Sequence, residues 1–174
     1  MKTHITHPFP PLYDKDSNIL ILGSFPSVKS REQMFFYGHP QNRFWKVIAS
    51  VYDSEVPVTI REKKAFLKKN RIALWDVIGS CDIEGSSDSS IENAVPNDIS
   101  PIIKKAKICG VFVNGKTAEK YYRKYIEPKT GIEAVCLPST SPANAAWSVE
   151  KLVNIWSEAI GEALKNSDRS SERG

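Results

Sequence analysis

Four short apolar runs, set apart by stretches of helical periodicity, constrain this chain more than any other feature. They are Asn18-Ile-Leu-Ile-Leu-Gly23, Arg71-Ile-Ala-Leu-Trp-Asp-Val-Ile78, Ile108-Cys-Gly-Val-Phe-Val-Asn114 and Glu133-Ala-Val-Cys-Leu137. Runs this short and this apolar read as strands buried on both faces. Between them Phe44, Trp45, Ile48, Val51 and Tyr52 fall on one stripe of a helix spanning Asn42–Tyr52, and a lysine-rich helix is expected over Ile60–Asn70. A third helix spans Asp98–Ala106, with Pro101 in its first turn. Another starts at Thr117, with Ala118, Tyr121, Tyr122, Tyr125 and Ile126 on one face. Ser148 caps the last helix, whose buried stripe is Val149, Leu152, Val153, Trp156, Ile160 and Leu164. Strand–helix alternation of this kind specifies an α/β fold on a mostly parallel sheet with right-handed crossovers.

The remaining stretches are read as connections. Residues 1–16, rich in proline, form an extended arm, and Gly79–Asn93 a polar, mobile loop. Residues 1–165 make one domain, and 166–174 a disordered tail. A net charge of +4 permits a polyanionic partner without requiring one. The three cysteines are far apart and odd in number, which argues against a disulfide framework. No cysteine or histidine cluster suggests a metal, so no cofactor is expected. No apolar run approaches membrane-spanning length and no signal peptide opens the chain, which reads as cytoplasmic and free of membranes.

In a parallel sheet the ligand crevice lies beyond the carboxyl ends of the strands. Here those ends are Gly23–Ser27, the region after Asp76, Asn114-Gly115 and Pro138–Asn144. The Phe35–Asn42 stretch joins the same rim, where Phe35 to Tyr37 are free to stack on a flat ligand. Asn114 offers a donor and an acceptor for reading the edge of a base, with turn capping an equal alternative. Pro138-Ser-Thr-Ser-Pro142 packs hydroxyls that suit phosphate oxygens, or makes an ordinary polar turn. Gly23-Ser-Phe-Pro-Ser27 is a base- or phosphate-cradling loop, or a plain strand exit; it lacks the lysine of a P-loop. His39 reads first as a structural hydrogen-bonder in its His-Pro turn and second as an acid/base group. Asn42 either caps its helix or holds a water with its amide. No Ser-His-Asp order and no telling pair of carboxylates is present, so chemistry here would rest on positioning and electrostatics.

The order of these pieces carries a resemblance. Gly-Ser-Phe-Pro-Ser after a strand, His-Pro-Gln-Asn-Arg-Phe-Trp-Lys-Val-Ile over His39–Ile48, Leu-Pro-Ser-Thr-Ser-Pro-Ala-Asn over Leu137–Asn144 and Ser-Val-Glu-Lys-Leu-Val over Ser148–Val153 together resemble the uracil-DNA glycosylase superfamily. The His39–Ile48 run resembles its mismatch-specific uracil branch, and the two loops its hypoxanthine (deoxyinosine) branch. The resemblance implies a three-layer α/β/α sandwich on a four-stranded parallel sheet. It implies an enzyme that hydrolyses the N-glycosidic bond of a deaminated base flipped out of double-stranded DNA, hypoxanthine favoured. No motif for a Schiff-base lysine is present, so a monofunctional enzyme without lyase activity is expected, and a monomer.

Carried over by motif, Asn42 is the catalytic candidate, and Gly23, Ser24, Phe25, Tyr37 and Asn114 are base-binding candidates. Ser27 and His39 are candidate DNA contacts, as are Ser139, Thr140, Ser141, Ala143 and Asn144. Phe25 and Leu137 stand where other branches keep an acid or amide and a histidine, and Ala143-Asn144 where one keeps an intruding leucine. The alternatives are a mismatch-specific uracil/thymine glycosylase and a catalytically weak DNA-binding module of the same fold.

Overall fold

The computed structural model describes residues 1–172, with side chains described to Ser167. Its centre is a parallel sheet in the order β3-β2-β6-β7, formed by β2 (Ile19–Gly23), β3 (Ile72–Asp76), β6 (Gly110–Asn114) and β7 (Val135–Leu137). All four expected strands are present and parallel. Strand β2 is wholly buried because its two faces feed two cores. Ile19 and Ile21 pack with Phe44, Ile48, Leu152 and Trp156. Leu20 and Leu22 pack with Val77, Ile99, Ile102 and Tyr122.

The first core holds α2 (Phe44–Val51), α3 (Ile60–Lys69) and α7 (Val149–Glu172). Ser148 caps α7 as expected, its Oγ accepting from Lys151 N at 3.2 Å. The helix continues past residue 165, and of the expected disordered tail Arg173 and Gly174 lie outside the described residues. The second core holds α4 (Ser100–Lys105) and α5 (Lys116–Tyr121), which runs through a π turn at Tyr122–Ile126 into α6 (Glu127–Thr130). A short helix, α1 (Val28–Gln33), also forms, which the sequence pattern did not announce.

Two connections are structured instead. The arm contributes β1 (Thr3–Thr6), and the supposed mobile loop contributes β4 (Ile78–Ile83) and β5 (Glu92–Pro96). They form a separate antiparallel sheet, β1-β4-β5, with Thr3 opposite Ile83. The apolar run over 71–78 therefore splits, because Val77 N and Ile78 N turn to bond the carbonyls of Gly23 and Ser24 at 2.8 and 3.1 Å. The buried side chains of Ile78, Cys81 and Ile83 press this sheet onto the second core. No described helix is long and apolar enough to cross a membrane.

Candidate active site

A cleft of about 1020 Å³ opens at the carboxyl ends of β2, β3, β6 and β7. Every base-binding, catalytic and DNA-contacting candidate from the sequence lines it. Their roles inside it differ.

One wall is a hydrogen-bonded unit centred on Thr140, which is fully buried. Its Oγ1 donates to Asn42 Oδ1 at 2.9 Å and accepts from Asn114 Nδ2 at 3.0 Å. Its backbone N–H donates to Asn114 Oδ1 at 3.1 Å. Asn42 Oδ1 also accepts from Phe44 N at 2.9 Å, tying the amide to the start of α2. Both lone pairs of that oxygen are thus taken, and Nδ2 is the arm of Asn42 left without a partner among the described residues. Asn114 is engaged too, because Nδ2 also donates to the Tyr37 hydroxyl at 3.3 Å.

Arg43, to which sequence reasoning gave no role, staples the loop that follows β7. Its guanidinium donates to the carbonyls of Ser141 and Asn144, each at 3.0 Å, and to that of Trp147, while its backbone N–H bonds Thr140 O at 3.0 Å. The loop also bonds itself. Ser139 Oγ accepts from Ser141 N, Ser141 Oγ from Ala143 N, and Asn144 Nδ2 donates to Ser139 O, at 3.0 to 3.2 Å. Each of these serine oxygens already accepts one bond from the loop, and its O–H hydrogen is what it can offer a phosphate. Gly115, at φ +95°, is required where α5 begins, since a Cβ there would sit 3.0 Å from that of Ser139.

The aromatics before the His-Pro turn are not free stacking rings. Phe35 and Phe36 are core residues, 5% and 3% exposed, because the chain turns inward at Met34 and Tyr37, both with left-handed φ. Tyr37 reaches the cleft, but one face of its ring lies on Phe44, 3.9 Å between centroids. Burial pushes its phenol well above the ordinary tyrosine range; nearby Asp76 adds to this, and the Asn114 bond opposes it. His39 Nδ1 accepts from Gln41 N at 3.1 Å, the structural use expected of it. Ser27 caps α1, accepting from Ser30 N at 3.2 Å.

The other wall comes from β2 and β3 and contains groups that the sequence pattern did not single out. Asp76 ends β3 directly beside Gly23, and it is 5% exposed. Its Oδ2 bonds His7 Nε2 at 2.8 Å. Its Oδ1 lies 2.5 Å from the point that a Cβ on Gly23 would occupy, and Tyr37 Oη lies 3.2 Å from it. Gly23 is thus kept small so that a carboxylate and a phenol can converge over its Cα. Phe25 is 8% exposed and turns its ring edge-on to His7. Ser24 Oγ donates to Asp88 at 3.0 Å, and burial raises the Asp88 carboxyl against the pull of that bond. The one sequence signal for Asp76 is an acid closing an otherwise apolar strand. His7 had none.

Similarity to known proteins covers the same residues. The family model of the Uracil DNA glycosylase superfamily matches residues 10–160. A Hypoxanthine DNA glycosylase of Methanosarcina acetivorans is 38% identical over 145 residues, 80% of this chain and 89% of that protein. One from Methanosarcina barkeri is 33% identical over 159 residues, 87% of this chain and 96% of that protein. A solution NMR structure from Methanosarcina acetivorans superposes with a TM-score of 0.77 at 32% identity, covering 92% of this chain and 99% of that one.

Proposed function

The chain belongs to the uracil DNA glycosylase superfamily, and on that premise we propose that its cleft takes a deaminated base flipped from double-stranded DNA and hydrolyses the N-glycosidic bond, hypoxanthine before uracil. The observation that carries the base class is Asp76. A carboxylate is acceptor-only. Deamination replaces a ring-nitrogen lone pair of adenine or cytosine by an N–H, so the Asp76 carboxylate accepts from the deaminated base and meets adenine lone pair to lone pair. A cleft of about 1020 Å³ leaves room for a bicyclic base. The preference for hypoxanthine over uracil is supported by the relatives' names rather than by the cleft.

In this reading Asn42 is the catalytic residue. With Oδ1 held by Phe44 N and Thr140 Oγ1, its remaining arm is an N–H donor. A fixed donor suits the negative charge that grows on the departing base, and it equally holds a lone pair of the attacking water. Asn114 acts by holding Thr140 and Tyr37 in place, while Asp76 faces the base edge. The loop over Ser139–Asn144, with His39 and Ser27 at the rim, receives the DNA backbone through hydroxyl and main-chain groups. The enzyme works as a cytoplasmic monomer without a lyase step.

The test is base release from duplexes carrying inosine, xanthine or uracil at one position under identical salt. Hypoxanthine is expected to be released fastest. Faster uracil release opposite every base overturns the preference, and release from none of the three overturns the glycosylase reading.

A further inference from the structure

We propose that His7, supplied by the N-terminal segment, is a positioning residue of the base pocket: it holds Asp76 so that only Oδ1 meets the ring N–H of the flipped base. This rests on the glycosylase reading of the cleft. Asp76 lines the cleft and His7 does not, so the imidazole stands behind the carboxylate. The pair is buried, with side chains 3% and 7% exposed. A carboxylate only accepts, so Nε2 is assigned as the proton-bearing nitrogen that donates to Asp76 Oδ2, and Nδ1 faces the Phe9 N–H at 3.5 Å.

The ring has little freedom to leave that orientation. It stacks on Trp75 at 5.3 Å and 2°, and it meets the rings of Phe9 and Phe25 edge-on at 4.5 and 6.0 Å. Its backbone N–H bonds Gly79 O at 2.7 Å, fixing the segment to the start of β4. An acid with a buried partner is a poor way to complete a strand that is otherwise aliphatic and aromatic, since apolar residues of similar volume serve stability as well or better. What the pair adds is orientation. One carboxylate oxygen is claimed from behind, and the other is left facing the space that Gly23 keeps open.

The experiment compares single-turnover release of hypoxanthine with release of unsubstituted purine, whose ring nitrogen offers a lone pair where hypoxanthine has an N–H. His7→Ala frees the Asp76 carboxylate to rotate, and the hypoxanthine-to-purine ratio is expected to fall about tenfold, the scale of one misplaced buried hydrogen bond. His7→Gln, whose amide N–H can reach the same oxygen, should keep the ratio near the wild-type value. A folded fraction below one scales both substrates alike, so the ratio is blind to simple destabilisation. If His7→Ala does not fold, Asp76→Asn decides: His7 Nε2–H claims the amide oxygen, an –NH2 faces the base, and the ratio shifts toward purine. An unchanged ratio in His7→Ala, a His7→Gln enzyme as permissive as His7→Ala, or an Asp76→Asn enzyme that keeps the wild-type ratio each overturns the proposal. A wild-type protein that releases no base overturns the glycosylase reading instead.

Discussion

The two walls of the cleft use their polar groups in opposite ways. On the wall made by α2 and the loop after β7, the acceptors are engaged from within: Asn42 Oδ1 receives two protein hydrogens, and Asn114 Oδ1 and the Ser139 and Ser141 oxygens receive one each. On the wall made by β2 and β3, Asp76 has Oδ2 held by His7, and its Oδ1, beside Gly23, has no hydrogen-bond partner among the described residues. The first wall offers a ligand the Asn42 N–H and the serine O–H groups as donors, and the second offers a fixed acceptor. A base being cut from a sugar needs both, donors where negative charge grows and an acceptor where the deaminated ring has gained an N–H.

Removing the donor is expected to have the largest effect. Asn42→Ala should slow single-turnover excision by about 10²–10³-fold, the usual loss for one preorganised donor, and cost about 1 kcal/mol as the link to Phe44 N disappears. A folded mutant cutting at the wild-type rate would show that the donor wall is scaffold alone.

Next comes the acceptor. Adding a methyl in Gly23→Ala places it 2.5 Å from Asp76 Oδ1 and 3.2 Å from Tyr37 Oη, and one of them must give way. Excision should fall roughly tenfold or more while DNA without a deaminated base binds as before, because the change touches the base and not the backbone. Equal losses for both DNAs would dissolve the division of labour between the walls.

Arg43→Lys tests how rigid the donor wall is. A lysine cannot hold three carbonyls from one planar fork. Melting should report a loss of about 1–3 kcal/mol from the carbonyls left unpaired, with a smaller drop in excision than for Asn42→Ala. A mutant as stable as the wild type would mean that the loop holds itself.

The smallest effect concerns Tyr37, which joins the walls. Burial raises its phenol and that of Tyr52, so the native state keeps protons that the unfolded chain loses above about pH 10. Stability should therefore fall as pH rises through that value. Tyr37→Phe keeps the stack on Phe44 and should flatten the fall. The same slope in both proteins between about pH 9 and 11 would place Tyr37 outside the sealed wall.

The donor wall was legible because its parts lie in short contiguous motifs: Asn42 in the His-Pro-Gln-Asn-Arg-Phe-Trp run, and Thr140 between two prolines. What those motifs did not show is that the pieces bond one another, or that Arg43 ties them across about a hundred positions. Asn114 was placed correctly on the rim, but its amide faces Thr140 and Tyr37, which position alone could not tell from a turn cap. The acceptor wall was hidden for a different reason. Its histidine sits on a proline-rich arm, 69 residues from its partner, and no local periodicity connects them.

The sequence by itself determined the central sheet and the helices on it, because burial on both faces of a strand and on one stripe of a helix leaves local periods of apolar residues. It determined the rim too, since parallel strands put all their carboxyl ends on one side. Only the tertiary structure decided the second sheet. Strands such as Ile78-Gly-Ser-Cys-Asp-Ile83 are half polar and weak as isolated strands, and they exist because β1 pairs with them from nearly eighty residues away. That same pairing carries the chain into His7 and sets the imidazole behind Asp76. Which carboxylate oxygen faces the cleft is thus a property of the packed molecule, fixed by contacts between segments that carry no mark of one another in the chain.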